Sequence, residues 1–162
     1  DGTAPLTHAI GDESAMIRAV AAASLGKLGI KDNRPLLSAL TRDPDAHVRA
    51  NAAEGLLRLG DTSAIALAAE LARHPDPSIR GAAAQALSAS PDDQAFTLLK
   101  ALLLDQQPLP RLSAAKALRK SNDRAIPILL QGLRDTDEAV RIAAANSLLQ
   151  QLAKQPISKR HR

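Results

Sequence analysis

Five arginines recur along the chain at nearly constant spacing, and each could form charge-assisted hydrogen bonds. They are 31, 31, 31 and 30 residues apart: Arg18, Arg49, Arg80, Arg111 and Arg141. Most are preceded, at six residues, by an aspartate: Asp12, Asp43, Asp105 and Asp135. A guanidinium offers its N–H donors in a planar fork that matches a carboxylate. We therefore predict that a turn carboxylate pairs with the arginine of the same copy, and that the five arginines form a structural ladder rather than a ligand site.

Residue types that commonly carry catalysis lack a catalytic arrangement in this sequence. The histidines have no mutual spacing typical of a metal site: His8, His47, His74 and His161. Cysteine is absent, which excludes disulfides, thiolate metal sites and cysteine nucleophiles. No glycine-rich phosphate loop and no His-Glu pair occurs. We predict that the protein is not an enzyme and that it holds no cofactor and no metal.

The sequence around each arginine is also repeated, which indicates the elements that position it. With the arginine counted as zero, Ala stands at +3 and +4 and Leu at +7 in all five copies. Self-similarity at a period of this length is typical of a stacked repeat protein, in which each unit contacts its neighbours. Function is then expected on a repeated surface rather than in a single pocket.

Within each period the apolar pattern predicts two helices joined by a short polar turn. Apolar residues recur at intervals of three and four in both segments, as in amphipathic helices. We place the arginine-led second helices at starts near residues 17, 48, 79, 110 and 140. Gly29, Gly60 and Asn122 follow second helices, and we predict that they adopt the left-handed conformation that ends a helix.

The composition and the charge distribution narrow the function classes. The only aromatic residue is Phe96, so the core must be built from alanine and leucine. The net charge of +4 arises in the tail, because residues 1–150 carry 17 basic and 17 acidic side chains. We predict a repeat domain over residues 1–153 and a basic flexible tail over 154–162. Nucleic-acid binding through this tail is the third and least favoured function.

No segment of the sequence has the features of a membrane span or a signal peptide. No apolar run approaches the roughly 20 residues that cross a bilayer, so we predict no membrane insertion. We predict a cytoplasmic location and keep the periplasm as the alternative. The chain begins at Asp1 without Met, which is compatible with a processed product or a piece of a longer protein.

The repeated unit is marked by the turn Asp-x-Asp, the pair Val/Ile-Arg, the following Ala-Ala and the Leu at +7. In these features it resembles HEAT repeats. The short period is similar to the variety called phycobilisome-lyase HEAT-like repeats. This resemblance implies an all-α fold, a right-handed α-solenoid of about five HEAT-like hairpins. It also implies that the second helices line the concave surface. HEAT-like di-iron hydroxylases use His-Glu pairs, and the chain resembles those enzymes in fold alone.

A helical wheel predicts which side chains face a partner. Positions −1, +3, +4, +7 and +10 of the second helix cluster on one side, whereas +1, +2, +5 and +9 point the other way. The resemblance assigns the second set to the concave face. The candidate partner-binding residues there are Asn51, Glu54, Arg58, Gln85, Leu112, Lys116, Lys120, Ile142 and Asn146.

Leu112 and Ile142 stand out as large apolar residues at solvent-facing positions, with Lys116 and Lys120 near the first. They predict either an apolar patch with a charged rim, as in protein interfaces, or packing on a neighbouring helix. We favour a protein-interaction scaffold that binds an unidentified protein partner. The alternative is an accessory subunit of an enzyme resembling bilin lyases. At the N-terminal end, where no copy precedes the first helix, we expect self-association or further repeats.

Overall fold

The computed structural model describes residues 3–154, which form a stack of helical hairpins. Ten α-helices lie within this range: α1 (Thr3–Ala9), α2 (Ala15–Leu28), α3 (Arg34–Leu40), α4 (Ala46–Arg58), α5 (Ala64–Leu71), α6 (Pro77–Leu87), α7 (Asp93–Leu102), α8 (Pro108–Leu118), α9 (Ile126–Gly132) and α10 (Glu138–Lys154). Short 3-10 turns, Lys31–Asn33 and Asp123–Ala125, precede α3 and α9. None of these helices is both long and apolar enough to cross a membrane.

The even-numbered helices carry the arginines and begin two residues earlier than predicted. Their starts are Ala15, Ala46, Pro77, Pro108 and Glu138, rather than near 17, 48, 79, 110 and 140. The early starts have a local cause, because turn residues cap the first N–H groups. Asp45 accepts from the N–H groups of His47 and Val48, and Asp76 accepts from that of Ser78. α6 and α8 begin with proline, which lacks an N–H group. This costs no hydrogen bond, because the N–H groups of the first turn have no acceptor within the helix.

The helix ends follow the predicted signals in two of three cases. Gly29 and Gly60 have φ angles of 67° and 80°, the left-handed region predicted for them. Asn122 was wrongly assigned to the same role. Its φ is −82°, and its side chain accepts a hydrogen bond from the N–H of Arg124, so it caps the start of the next helical turn.

The second helices stack in order and bury the alanine and leucine positions. Consecutive members of the series α2, α4, α6, α8 and α10 contact one another, and each also packs on its own first helix. The alanines at +3 are buried in every repeat: Ala21, Ala52, Ala83, Ala114 and Ala144. Small side chains at these positions let the helices approach closely, and the leucines at +7 fill the space toward the first helices.

Two glycines set the closest approach between α2 and α4. A Cβ atom added to Gly26 would lie 2.5 Å from the Cα of Gly55. A Cβ added to Gly55 would lie 2.8 Å from a methyl carbon of Leu37 and 3.1 Å from the Cα of Gly26. Real Cβ atoms do not approach backbone at 2.5 Å, so this helix pair depends on the absence of a side chain at Gly26.

Each arginine of the ladder holds the turn of its own repeat through main-chain carbonyl groups. In all five repeats Nη1 donates to the carbonyl oxygens of the residues six and five positions before the arginine. For Arg80 the acceptors are His74 and Pro75, both at 2.9 Å. The arginine therefore fastens the turn to the helix in each copy, whatever residue stands at −6.

Three of the five arginines have a carboxylate partner among the described residues, and it comes from the next repeat, which corrects the predicted pairing within one copy. Arg18 donates from Nε and Nη2 to Asp43 at 2.7 and 2.9 Å. The same fork joins Arg80 to Asp105 and Arg111 to Asp135, at 2.7 to 2.8 Å. The ladder thus links neighbouring repeats as well as fastening their turns.

One rung of this ladder is missing inside the array. The residue that would face Arg49 from the next repeat is His74, which has no carboxylate. His74 keeps the local turn, because its Nδ1 accepts from the N–H of Asp76, as Oδ1 of Asp105 does from Gln107. Nε and Nη2 of Arg49 make no hydrogen bond within the described residues. The second and third repeats therefore stack without the ion pair that joins the others.

The ladder predicts acid sensitivity. Hydrogen bonds from arginine lower the pKa values of Asp43, Asp105 and Asp135. A carboxyl whose folded pKa lies below its unfolded value stabilises the fold above that unfolded value, about 4, and this contribution is lost as the pH falls through the folded pKa. We therefore expect the free energy of unfolding, measured by urea denaturation, to fall steadily below about pH 4.

A neutral variant provides the control for that measurement. Asp105→Asn keeps an oxygen acceptor for the turn but removes the titrating group that faces Arg80. The variant should be less stable than the wild type at neutral pH, and the gap between them should narrow in acid. Parallel stability curves for the two proteins would contradict the assignment of acid sensitivity to this pair.

Candidate protein-binding groove

The second helices of repeats two to five line a groove of about 950 Å³, built from α4, α6, α8 and α10. Most of the residues predicted from the helical wheel line it: Glu54, Arg58, Gln85, Leu112, Lys116, Lys120, Ile142 and Asn146. Asn51 is outside the groove lining. It is half-buried, and its Nδ2 donates to the carbonyl oxygen of Ala19 at 2.9 Å. Asn51 therefore joins α4 to α2.

The wheel prediction of an open face needs correction at positions +1 and +2. Ala50 is 1% exposed and Gly81 is buried, although both stand at +1. A Cβ added to Gly81 would lie 3.0 Å from Oγ of Ser113, which is at +2 of the next repeat. Positions +1 and +2 therefore lie within the contact surface between consecutive second helices, which we call the seam, and the open face consists mainly of +5 and +9.

A buried carboxylate lies at one end of the groove. Glu54 is 7% exposed, and its Oε1 accepts from Nε of Arg58 at 3.1 Å and also from Nη2. Its other oxygen accepts from Nε2 of Gln85 in the next repeat at 3.2 Å. Glu54 is thus satisfied within the protein, and its charge is compensated by Arg58.

The remaining charged side chains of the groove are cationic. Lys116, Arg119 and Lys120 form no ion pair within the described residues. Burial lowers the pKa of Lys120, and the nearby positive charge of Arg58 lowers it further. A negatively charged group entering the groove would relieve this repulsion, so the groove is electrostatically suited to an anionic ligand.

The two apolar residues singled out from the sequence have different surroundings. Leu112 is half-buried and packs against the main hydrophobic core. Ile142 is 54% exposed. Both line the groove, so each adds apolar surface next to the lysines. Leu112 thus partly follows the predicted packing on neighbouring residues, and Ile142 follows the predicted exposure to solvent.

Two buried polar residues of α10 that hold the groove together were missed in the sequence analysis. Oγ of Ser147 donates to the carbonyl oxygen of Ala115 at 2.8 Å. Nε2 of Gln151 donates to the carbonyl oxygens of Leu118 and Arg119 at 2.9 and 3.0 Å, and also to that of Ser121. Gln151 stands at +10, a position that the wheel assigns to the core. A polar side chain at a buried position needs hydrogen-bond partners, so this residue could have been recognised from the sequence as a structural contact.

The predicted basic tail falls mostly beyond the part of the chain that the structure describes. Lys154 is the last residue of α10, so the helix extends one residue into the predicted tail. Its Nζ donates to the carbonyl oxygen of Arg119 at 3.1 Å. Residues 155–162 lie outside the described residues. Between residues 3 and 154, no cluster of three or more His, Asp or Glu side chains could hold a metal ion.

Comparison with protein families confirms the resemblance inferred from the repeated motif. The family described as HEAT repeats matches residues 33–119. The single HEAT repeat matches residues 125–150, and the PBS lyase HEAT-like repeat matches residues 110–135. No curated protein matches the sequence.

Solved structures share the solenoid architecture. The complex of CpcE and CpcF of phycocyanin lyase from Nostoc contains a chain that is 25% identical, with a TM-score of 0.64. That match covers 92% of this chain and 64% of the Nostoc chain, so the protein spans less than two thirds of that relative.

Two more distant structures show the fold alone. Human deoxyhypusine hydroxylase is 15% identical, with a TM-score of 0.51 over 92% of this chain and 84% of that one. A designed armadillo repeat protein in complex with the peptide (KR)4 is 17% identical, with a TM-score of 0.57 over 91% of this chain and 80% of that one. The prediction of an all-α solenoid of HEAT-like hairpins is confirmed.

Proposed function

The chain belongs to the HEAT repeat family, and we propose that it is a non-catalytic interaction scaffold that binds an acidic segment of a protein partner in its groove. The observation that carries this proposal is the excess of unpaired cations beside exposed apolar surface, at Lys116, Arg119, Lys120 and Ile142. Protein interfaces combine an apolar centre with a polar rim.

The shape of the groove favours an extended segment. It runs across four successive second helices, and both polar and apolar side chains line it. The designed armadillo repeat protein, which has a similar fold, is in complex with the peptide (KR)4. Because unpaired cations and apolar side chains line the groove of this chain, we propose that its ligand carries carboxylates together with leucine-like side chains.

A peptide titration tests this proposal. The probe is a fluorescently labelled peptide that alternates glutamate and leucine, and its binding is followed by fluorescence anisotropy. We expect Lys116→Glu combined with Lys120→Glu to weaken binding at least tenfold, about 1.4 kcal/mol, because attraction becomes repulsion in a partly desolvated site. Binding should also weaken as the salt concentration rises.

The chain offers a matched control for the charge reversal. Lys27 stands at +9 of the first repeat, the same register as Lys120, but lies outside the groove. Lys27→Glu should leave binding of the peptide unchanged. Equal loss in both variants, or equal binding of a peptide that alternates lysine and leucine, would show that the attraction is not specific to the groove.

A second candidate function follows from the likeness to phycocyanin lyase and from the match to the PBS lyase HEAT-like repeat. In this alternative the chain is an accessory subunit of an enzyme that attaches or removes a bilin. A bilin carries carboxylates on an apolar skeleton, which also suits a cationic groove. A shift in bilin absorbance on mixing with the protein, lost in the Lys116→Glu/Lys120→Glu variant, would favour this role.

Nucleic-acid binding remains the third proposal. Retention on a DNA column that falls with salt and persists after deletion of residues 154–162 would place that activity in the solenoid. Retention that disappears with the deletion would assign it to the tail.

A further inference from the structure

Consecutive second helices meet through a seam that has two different sides. On one side are positions +1 and +8, and on the other are −1, +2 and +6. Asn51 at +2 binds the carbonyl oxygen of Ala19 at +1 of the preceding repeat. Gly26 at +8 touches Gly55 at +6 of the next repeat. Each internal repeat therefore offers one side to its predecessor and the other to its successor.

At the two ends of the array, no described residue covers the outer side of this seam, and both outer sides carry exposed apolar side chains. In the first repeat, Ile17 at −1 is 45% exposed, whereas Val48 at the same position of the second repeat is fully buried. Val20 at +2 is also exposed. In the last repeat the uncovered residues are Ile142 at +1 and Leu149 at +8, which is 65% exposed. Adjacent exposed apolar residues of this kind mark interaction sites.

The arginine ladder is open at the same two ends, with opposite charges. Arg141 binds the carbonyl groups of its own turn through Nη1, but its Nε and Nη2 have no acceptor among residues 3–154. In Arg18, Arg80 and Arg111 those two nitrogens bind the aspartate at −6 of the next repeat. Asp12 stands at that position in the first repeat, and its Oδ1 accepts from the N–H of Ser14 at 2.8 Å, the turn geometry seen at Asp43. Asp12 forms no ion pair with a described residue.

We propose that the C-terminal end of one molecule binds the N-terminal end of a second copy, in the register of one further repeat. Arg141 of one copy then pairs with Asp12 of the next, and Ile142 and Leu149 pack against Ile17 and Val20. The charge and the apolar positions of the two ends are complementary. The contact is heterologous, because different surfaces meet, so assembly continues head to tail unless a ring closes.

Charge exchange gives a test that a nonspecific apolar contact would fail. Sedimentation of the 162-residue chain over a range of concentrations should show growing species. Arg141→Asp alone places like charges at every junction, and so does Asp12→Arg alone, so each should weaken association at least tenfold. An equimolar mixture of the two variants should restore association, because alternating copies bring opposite charges together at every junction.

The controls separate assembly from folding. Arg49→Asp removes the same carbonyl bonds within a turn as Arg141→Asp does, but inside the array, and should leave association unchanged. Asp12→Asn keeps the acceptor for Ser14 and should weaken association without lowering the melting temperature. Lys116→Glu combined with Lys120→Glu should have no effect on association, so failure of the groove proposal remains distinguishable.

Two outcomes would overturn the proposal. If the protein stays monomeric at the highest soluble concentration, the two ends do not bind each other. They would then be covered by flanking repeats or by a different HEAT-type chain. Association that neither Arg141→Asp nor Asp12→Arg weakens, or that their mixture does not restore, would show that the ladder ends do not meet.

Discussion

Gly26→Ala is expected to lower the free energy of unfolding by about 3 kcal/mol, the upper part of the range for overpacking. The new Cβ would lie 2.5 Å from the Cα of Gly55, so two backbones would have to move apart. Alanine is the better helix former, but this gain is smaller than the cost of separating α2 from α4. Thermal unfolding should show a decrease in Tm of about 6–12 °C for a chain of this size.

Gly81→Ala is the matched control for this substitution. It also adds a methyl group inside a second helix, but the nearest atom is the side-chain oxygen of Ser113 at 3.0 Å, which can rotate away. Its stability should be unchanged or slightly higher. Hydrogen exchange should locate the damage of Gly26→Ala in α2 and α4. Equal stability of the two alanine variants would contradict the close backbone approach.

The repeated arginine was sufficient to predict the architecture, because the buried positions stand at fixed distances from it in every copy. The alanines at +3 are all buried, and Gly29 and Gly60 end their helices as expected. Burial at a fixed repeat position and the end of a helix depend on a few neighbouring residues, so they can be predicted from the local sequence. The predicted starts of the second helices lie two residues too late, because they were placed from the arginines and not from the turn residues that cap the helices.

The partners of the ladder could not be predicted, because periodicity alone leaves two equivalent choices. Asp43 precedes Arg49 by six residues and follows Arg18 by 25, and both intervals recur along the chain. The choice depends on the stacking of whole repeats: Nη1 is occupied by the turn carbonyls, and the rest of the fork points to the next turn. The position of the seam at +1 and +2 depends on the same stacking.

The groove was predicted better in its charges than in its apolar residues. Lys116 and Lys120 stand at +5 and +9, on the side of the second helix that lines the groove, so the wheel was adequate for them. Leu112 and Ile142 share position +1, yet only Ile142 is largely exposed. The difference arises because a following repeat covers Leu112, whereas no described residue after α10 covers Ile142, and a single helical wheel does not contain this information.

The ladder predicts unequal costs for removing two arginines that look equivalent in sequence. Arg80→Ala removes a two-pronged ion pair and two carbonyl contacts and leaves Asp105 without its partner, so a loss of about 3 kcal/mol is expected. Arg49→Ala removes the carbonyl contacts alone and should cost about 1 kcal/mol. Urea denaturation of both variants measures the difference. Equal losses would mean that the carboxylate contributes nothing to the stack.

Filling the gap in the ladder should stabilise the protein. His74→Asp places a carboxylate where Asp43, Asp105 and Asp135 stand in other repeats, opposite the unpaired Nε and Nη2 of Arg49. We expect the free energy of unfolding to rise by about 1 kcal/mol, the net value of a partly exposed charge-assisted pair. In this background Arg49→Ala should become as costly as Arg80→Ala is in the wild type, because the two rungs are then alike. If the cost of Arg49→Ala is the same with His74 and with the aspartate, the carboxylate does not reach across the repeats at this junction, and the stack is held there by its apolar contacts alone.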